Sequence, residues 1–173
     1  VVVDPVLRAS TGAALLEPAA IRVLKEHLLP LATVVTPNLA EAELLTGKRV
    51  RTLREMERAA IEIFQMGPRV VIKGGHLKQE SSDVFFDGKE VAVFPGKKIV
   101  SDSTHGTGCV FSSALATFLA LGENLKEAAH SAHDLTRRAI LGGYPFGQGG
   151  RVVASCAARG TERSTQRIRK RNR

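Results

Sequence analysis

A chain of 173 residues, 43% hydrophobic and 24% charged, is long enough to bury one substantial core and too apolar to be a disordered segment. No apolar run reaches the roughly 18 residues of a membrane span, and the opening VVVDPV lacks the basic flank and the length of a signal peptide. The two cysteines, Cys109 and Cys156, make neither a disulfide framework nor a zinc site, so a cytosolic, reducing setting is expected.

The net charge of +8 is concentrated after Gly150: seven arginines and one lysine against Glu162 give that segment +7 and leave the first 150 residues at +1. The stretch RGTERSTQRIRKRNR has almost no apolar residues to offset the entropy of ordering it. Residues 151–173 are therefore expected to form a disordered basic tail behind a folded body of residues 1–150. Nucleic acid is set aside as a partner, because the tail offers no aromatic side chain for a base to stack on and a charge run is ordinarily solvated.

In chain order, VVVD (1–4) reads as a short β-branched strand ending at Asp4-Pro5. PAAIRVLKEHLLP (18–30) repeats apolar residues at helical spacing between two prolines. TVVT (33–36) is a short buried-type strand, and PNLAEAELLTG (37–47) turns into a short helix stopped by Gly47. Thr52 and Glu55 stand at capping-box spacing before a helix whose Leu53, Met56, Ala60, Ile63 and Phe64 share one face. RVVIKGG (69–75) reads as a fully buried strand, and SDVFFDGKEVAVFPG as a hairpin about Asp87-Gly88. Two helices close the body, 107–121 and 125–141, the second capped by Asn124 with Glu127 three residues on. Strands alternating with helices predict an α/β fold with a mainly parallel sheet covered on both faces and the hairpin as antiparallel trim. A chain that begins inside a strand leads to the expectation that a neighbouring part of the fold is missing.

Four short stretches carry chemistry. In THGTGC, the Gly106-Thr107-Gly108 turn permits close backbone approach, and the amides and dipole of the following helix favour an anion; Cys109 in the first turn becomes a candidate thiolate beside a bound phosphate. A plain tight turn with a small buried cysteine is the ordinary alternative. Asn38 and Glu41, three apart, can aim their oxygens at one point, which suits a hydrated magnesium ion that keeps several waters; an ordinary helix cap reads the same way. Lys73, Gly74, Gly75 and His76 end a strand at the crevice where open α/β sheets bind ligands, or form a glycine turn with a solvated lysine. Asp4 closes a strand, as a site carboxylate or as turn initiation before Pro5.

Together, DPV, VVTPNLAEAELLTG, VVIKGGHL, DVFFDG and STHGTGC with SSALATFLALG resemble the hydroxymethylpyrimidine/phosphomethylpyrimidine kinases of thiamine biosynthesis, within the ribokinase-like superfamily. The resemblance runs from Val1 to about Gly150 and corresponds to the carboxyl-terminal two-thirds of such an enzyme. It implies a three-layer α/β/α fold whose amino-terminal part is missing, with ATP and Mg2+ as cofactors, a small pyrimidine as substrate, and a homodimer for the full-length parent. Cys109 would take the place of the catalytic base, an aspartate in most of the superfamily, and Gly106, Thr107 and Gly108 would cradle the transferring phosphoryl. Lys73, Asp102, Thr104 and His105 would lie along the nucleotide phosphates. Asp4, Asn38 and Glu41 would face the metal, and Val6 with Cys109 would line the pyrimidine pocket. The truncated chain is expected to be inactive or nearly so. A pyridoxal or related small-molecule kinase, and a non-catalytic remnant or binding module, are the competing readings.

Overall fold

The computed structural model describes residues 1–9, 12–77, 80–100, 106–145 and 151–154. Five strands form one sheet in the order β1 (Val2–Val3), β2 (Val34–Val35), β3 (Arg69–Ile72), β4 (Asp83–Phe86) and β5 (Val91–Phe94). β1, β2 and β3 run parallel, joined through crossovers, whereas β3, β4 and β5 form an antiparallel meander. The sheet is therefore mixed, and the hairpin supplies two of its five strands.

Among the described residues, five α-helices cover it: α1 (Pro18–Val23), α2 (Leu39–Thr46), α3 (Leu53–Phe64), α4 (Thr107–Ala120) and α5 (Leu125–Leu141). Strand side chains alternate between the two faces. Val35, Val70, Ile72 and Val84 pack with Leu45, Met56, Ala60 and Ile63 of α2 and α3. Val34, Val71, Phe85 and Phe94 pack with Phe111, Leu115, Ala129 and Ala132 of α4 and α5. This is the expected three-layer α/β/α arrangement.

Both predicted capping devices form. Thr52 accepts from the amide of Glu55 while the Glu55 carboxylate accepts from that of Thr52, and Asn124 accepts from Glu127. The hairpin loop is tied by Asp87, whose Oδ1 accepts from the amides of Lys89 (2.8 Å) and Glu90 (2.9 Å); these hold its carboxyl below the usual range.

Three features depart from the sequence reading. The helix expected over 18–30 is α-helical only to Val23, then widens into a π-turn (Leu24–Leu28) and tightens into a 3-10 turn (Leu29–Leu31). Pro30 has no amide with which to continue an α-helical ladder. Leu15 returns to Leu7, its amide donating to Leu7 O at 3.0 Å, and Arg8 bridges Ala14 in antiparallel fashion. Residues 151–154, assigned by composition to the basic tail, are ordered: β7 (Arg151–Val152) pairs antiparallel with β6 (Tyr144–Pro145), and the amide of Ala154 donates to Ala139 O at 3.0 Å. The remainder of the expected tail, Cys156 included, lies outside the described residues.

Candidate active site

The parallel half of the sheet brings the ends of β1 and β3 and the start of α2 to one edge. There Asp4 follows β1, Asn38 follows β2, and Lys73 follows β3, with Asn38 and Lys73 bridged as parallel neighbours. Lys73 Nζ pairs with Asp4 Oδ1 at 3.0 Å, and the two side chains are only 15% and 16% exposed. The start of α4 arrives at the same point. Gly106, the N-cap, takes φ +87°, a left-handed conformation that costs glycine little, and it has no side-chain oxygen to offer the first-turn amides. Gly108 is the closest approach: a Cβ there would lie 3.2 Å from Lys73 Nζ and 3.3 Å from Asp4 Oδ2. Ser112, one turn on, donates from Oγ to Gly108 O at 3.0 Å and stands 3.4 Å from Asp4 Oδ2.

Asn38 and Glu41 cap α2 reciprocally. The amide of Glu41 donates to Asn38 Oδ1 at 3.0 Å, and that of Asn38 donates to Glu41 Oε2 at 2.8 Å. Glu41 is 3% exposed, and its burial pushes its carboxyl above the ordinary value; the Asn38 amide, Lys73 and the amide of Leu7 pull the other way. The capping reading of these two residues is thus realised in the structure, within reach of the Lys73 and Asp4 charges.

A cavity of about 470 Å³ is lined by Lys73, Thr107, Gly108, Phe111, His133 and Arg137. Its walls mix cations with apolar surface, and His76 and Lys98 also line it. Such a space suits a ligand that carries both anionic and apolar parts. Cys109 lines a separate recess of about 360 Å³ with Ser113, Thr117 and Phe118, and its thiol is exposed. The structure therefore brings together Asp4, Lys73, Thr107 and Gly108, places Asn38 and Glu41 beside them, and sets Cys109 on its own side of the glycine turn. Val6 is 46% exposed and holds φ +40°, a strained value for a β-branched residue that costs on the order of 1–3 kcal/mol. Asp102, Thr104 and His105 lie outside the described residues. Sequence reasoning did not assign Ser112, Asp83 or His133. Ser112 lies four residues after Gly108, a helical spacing that could have suggested it.

No helix among the described residues is long and apolar enough to cross a membrane. A three-layer fold with a glycine turn opening a helix against a half-buried Lys-Asp pair is that of the ribokinase-like kinases. The staphylococcal pyridoxal kinase in complex with AMP-PCP superposes with a TM-score of 0.84 at 35% identity, covering 91% of this chain and 58% of that one. The phosphomethylpyrimidine kinase of Clostridium difficile superposes with a TM-score of 0.65 at 36% identity, covering 82% and 55%.

The sequence model of the phosphomethylpyrimidine kinase family matches residues 1–154, and the chain belongs to that family of phosphotransferases. It is 49% identical over 142 residues to the hydroxymethylpyrimidine/phosphomethylpyrimidine kinase of Rhizobium meliloti, covering 80% of this chain and 53% of that protein. It is 47% identical over 151 residues to the thiamine biosynthesis bifunctional protein ThiED of Geobacter sulfurreducens, covering 86% and 31%. The chain spans about half the length of the single-function relatives it matches.

Proposed function

We propose that the protein of which these residues form the phosphate-binding half transfers the terminal phosphoryl of ATP to the hydroxymethyl group of a hydroxymethylpyrimidine. In a second round it phosphorylates the monophosphate, yielding the diphosphate used in thiamine biosynthesis. The observation that carries this reading is the convergence on Gly108, where a single added carbon would meet both Lys73 Nζ and Asp4 Oδ2. Backbone that must come this close to a cation and a helix N-terminus suits a phosphate.

ATP supplies the phosphoryl group; the chain's residues supply position and charge. Lys73 offsets the charge on the phosphates, and the amides that open α4 cradle the transferring group. Cys109, reached from its own recess, orients or deprotonates the attacking hydroxyl. Asp102, Thr104 and His105 continue the phosphate contacts, and Val6 lines the pyrimidine side. Asp4, Asn38 and Glu41 suit a magnesium ion held through water. Asp4 Oδ1 is held by Lys73, and Asn38 Oδ1 and Glu41 Oε2 by the cap of α2, so water-mediated ligation leaves the ion pair and the cap in place. A cytosolic homodimer is the expected state of the whole enzyme.

Pyridoxal is the competing substrate, because the pyridoxal kinase fits with the higher TM-score, 0.84 against 0.65. A panel of the pyrimidine, its monophosphate and pyridoxal, each with ATP and magnesium and read by mass spectrometry, decides between them. The full-length form is expected to phosphorylate both pyrimidines. Phosphorylated pyridoxal without phosphorylated pyrimidine overturns the assignment. The isolated 173 residues are expected to turn over well below the roughly 1 s⁻¹ at the lower end for kinases. In the full-length form Cys109→Ala should slow the chemical step by about 10²- to 10⁴-fold, and Cys109→Asp should retain more activity than Ala. Equal rates in all three would remove Cys109 from the chemistry.

A further inference from the structure

We propose that His133 is a positioning residue for Lys73, acting from α5 through Asp83 and the backbone amide of Gly74. The chain of contacts is continuous. His133 Nδ1 stands 2.7 Å from Asp83 Oδ2, and the amide of Gly74 donates to Asp83 Oδ1 at 2.8 Å. Both side chains are buried, His133 at 3% exposure and Asp83 at 7%. With the imidazole donating from Nδ1 to the carboxylate, this bond sets the tautomer and the ring orientation. Gly74 directly follows Lys73, whose own amide donates to Pro37 O at 2.9 Å. The two peptide units that flank the Lys73 Cα are thus anchored separately, one by the parallel neighbour and the other by Asp83. The lysine side chain that reaches Asp4 starts from a fixed point.

Two observations separate this role from packing. His133 Nε2 is buried without a hydrogen-bond partner among the described residues. An unpaired buried nitrogen lowers stability, so packing alone would favour an apolar side chain of similar size, and what the histidine adds is the Nδ1 bond. His133 also lines the same cavity as Lys73, Thr107 and Gly108, so a shift of the Gly74 amide is felt where the phosphates lie.

This proposal rests on the reading of Lys73 as a phosphate ligand, and the test keeps the two apart. The 173-residue chain is compared with His133→Leu, His133→Asn, His133→Gln and Lys73→Met by amide NMR and by ADP titration. The asparagine amide nitrogen sits near the position of Nδ1, whereas the glutamine nitrogen sits near Nε2. His133→Leu and His133→Gln should move the Gly74 amide resonance more than those of its neighbours and weaken ADP binding by about tenfold, as expected for an outer partner that orients a ligand. His133→Asn should restore both. If His133→Leu fails to fold, the Asn and Gln pair carries the comparison. An unmoved Gly74 resonance, or equal ADP affinity in Asn and Gln variants, overturns the positioning role. A Lys73→Met chain that binds ADP as tightly as the parent overturns the reading of Lys73 instead, and leaves the Gly74 shift to report on the relay.

Discussion

Glu41 serves the fold in its charged form, which burial disfavours. Its carboxylate closes the cap of α2 and accepts from backbone, yet it is 3% exposed. Burial raises its pKa above the ordinary value near 4.5, and the backbone bonds and Lys73 offset this only in part. An acid whose folded pKa is raised binds its proton more tightly in the folded state than in the unfolded one. Its contribution is therefore fully present below about pH 4.5 and is lost as pH rises through the higher folded value. Glu41→Gln keeps an oxygen for the Asn38 amide and removes the charge, so it should raise the urea midpoint at pH 7 and flatten the decline that begins near pH 4.5. Midpoints measured from pH 4 to 7 check this. A midpoint at pH 7 lower than that of the parent would mean that Lys73 more than compensates for burial. The Asn38 and Glu41 spacing was legible because a capping box is local. Asp83 and His133 were not, because 50 residues separate them and neither stands in a local pattern that marks a site.

At the level of elements, two substitutions of similar chemistry should differ sharply. Thr52→Ala removes one side-chain cap from α3 and should cost about 1 kcal/mol, read as a lower denaturation midpoint with the fold intact. Gly74→Ala adds a single carbon, but that carbon would lie 1.9 Å from Ser82 O, so the strand pair β3 and β4 must separate there. It should abolish nucleotide binding and cost several times as much as Thr52→Ala. Circular dichroism melts and ADP titration of both variants make the comparison. The helices and strands with paired caps or alternating apolar residues, such as α3 and β3, declared themselves in the sequence. The π-turn over Leu24–Leu28 and the ordering of Arg151–Ala154 did not, since the first is decided by how the chain must meet Leu24 and Leu29 in the core, and the second by docking against Ala139.

For the whole molecule, the layering was legible, because Val34 and Val35, or Val70 and Val71, can be buried on both faces only inside a covered sheet. The hairpin, legible as antiparallel trim, pairs through β4 with β3 and so sets the start of β4, rather than its end, beside Lys73. β3 is consequently the strand that the parallel and antiparallel halves share. It pairs with β2 through Arg69 and Val70 and with β4 through Val70–Ile72, so freeing the strand requires both halves to come apart. Hydrogen exchange there should occur only through global opening, with the slowest rates in the chain, while the amides of Val2 and Val3 should exchange through local fraying of a two-residue strand. A folded protein keeps its most slowly exchanging hydrogens where separation is least local, and in this one they are expected to end one residue before Lys73, the lysine we propose as the phosphate ligand.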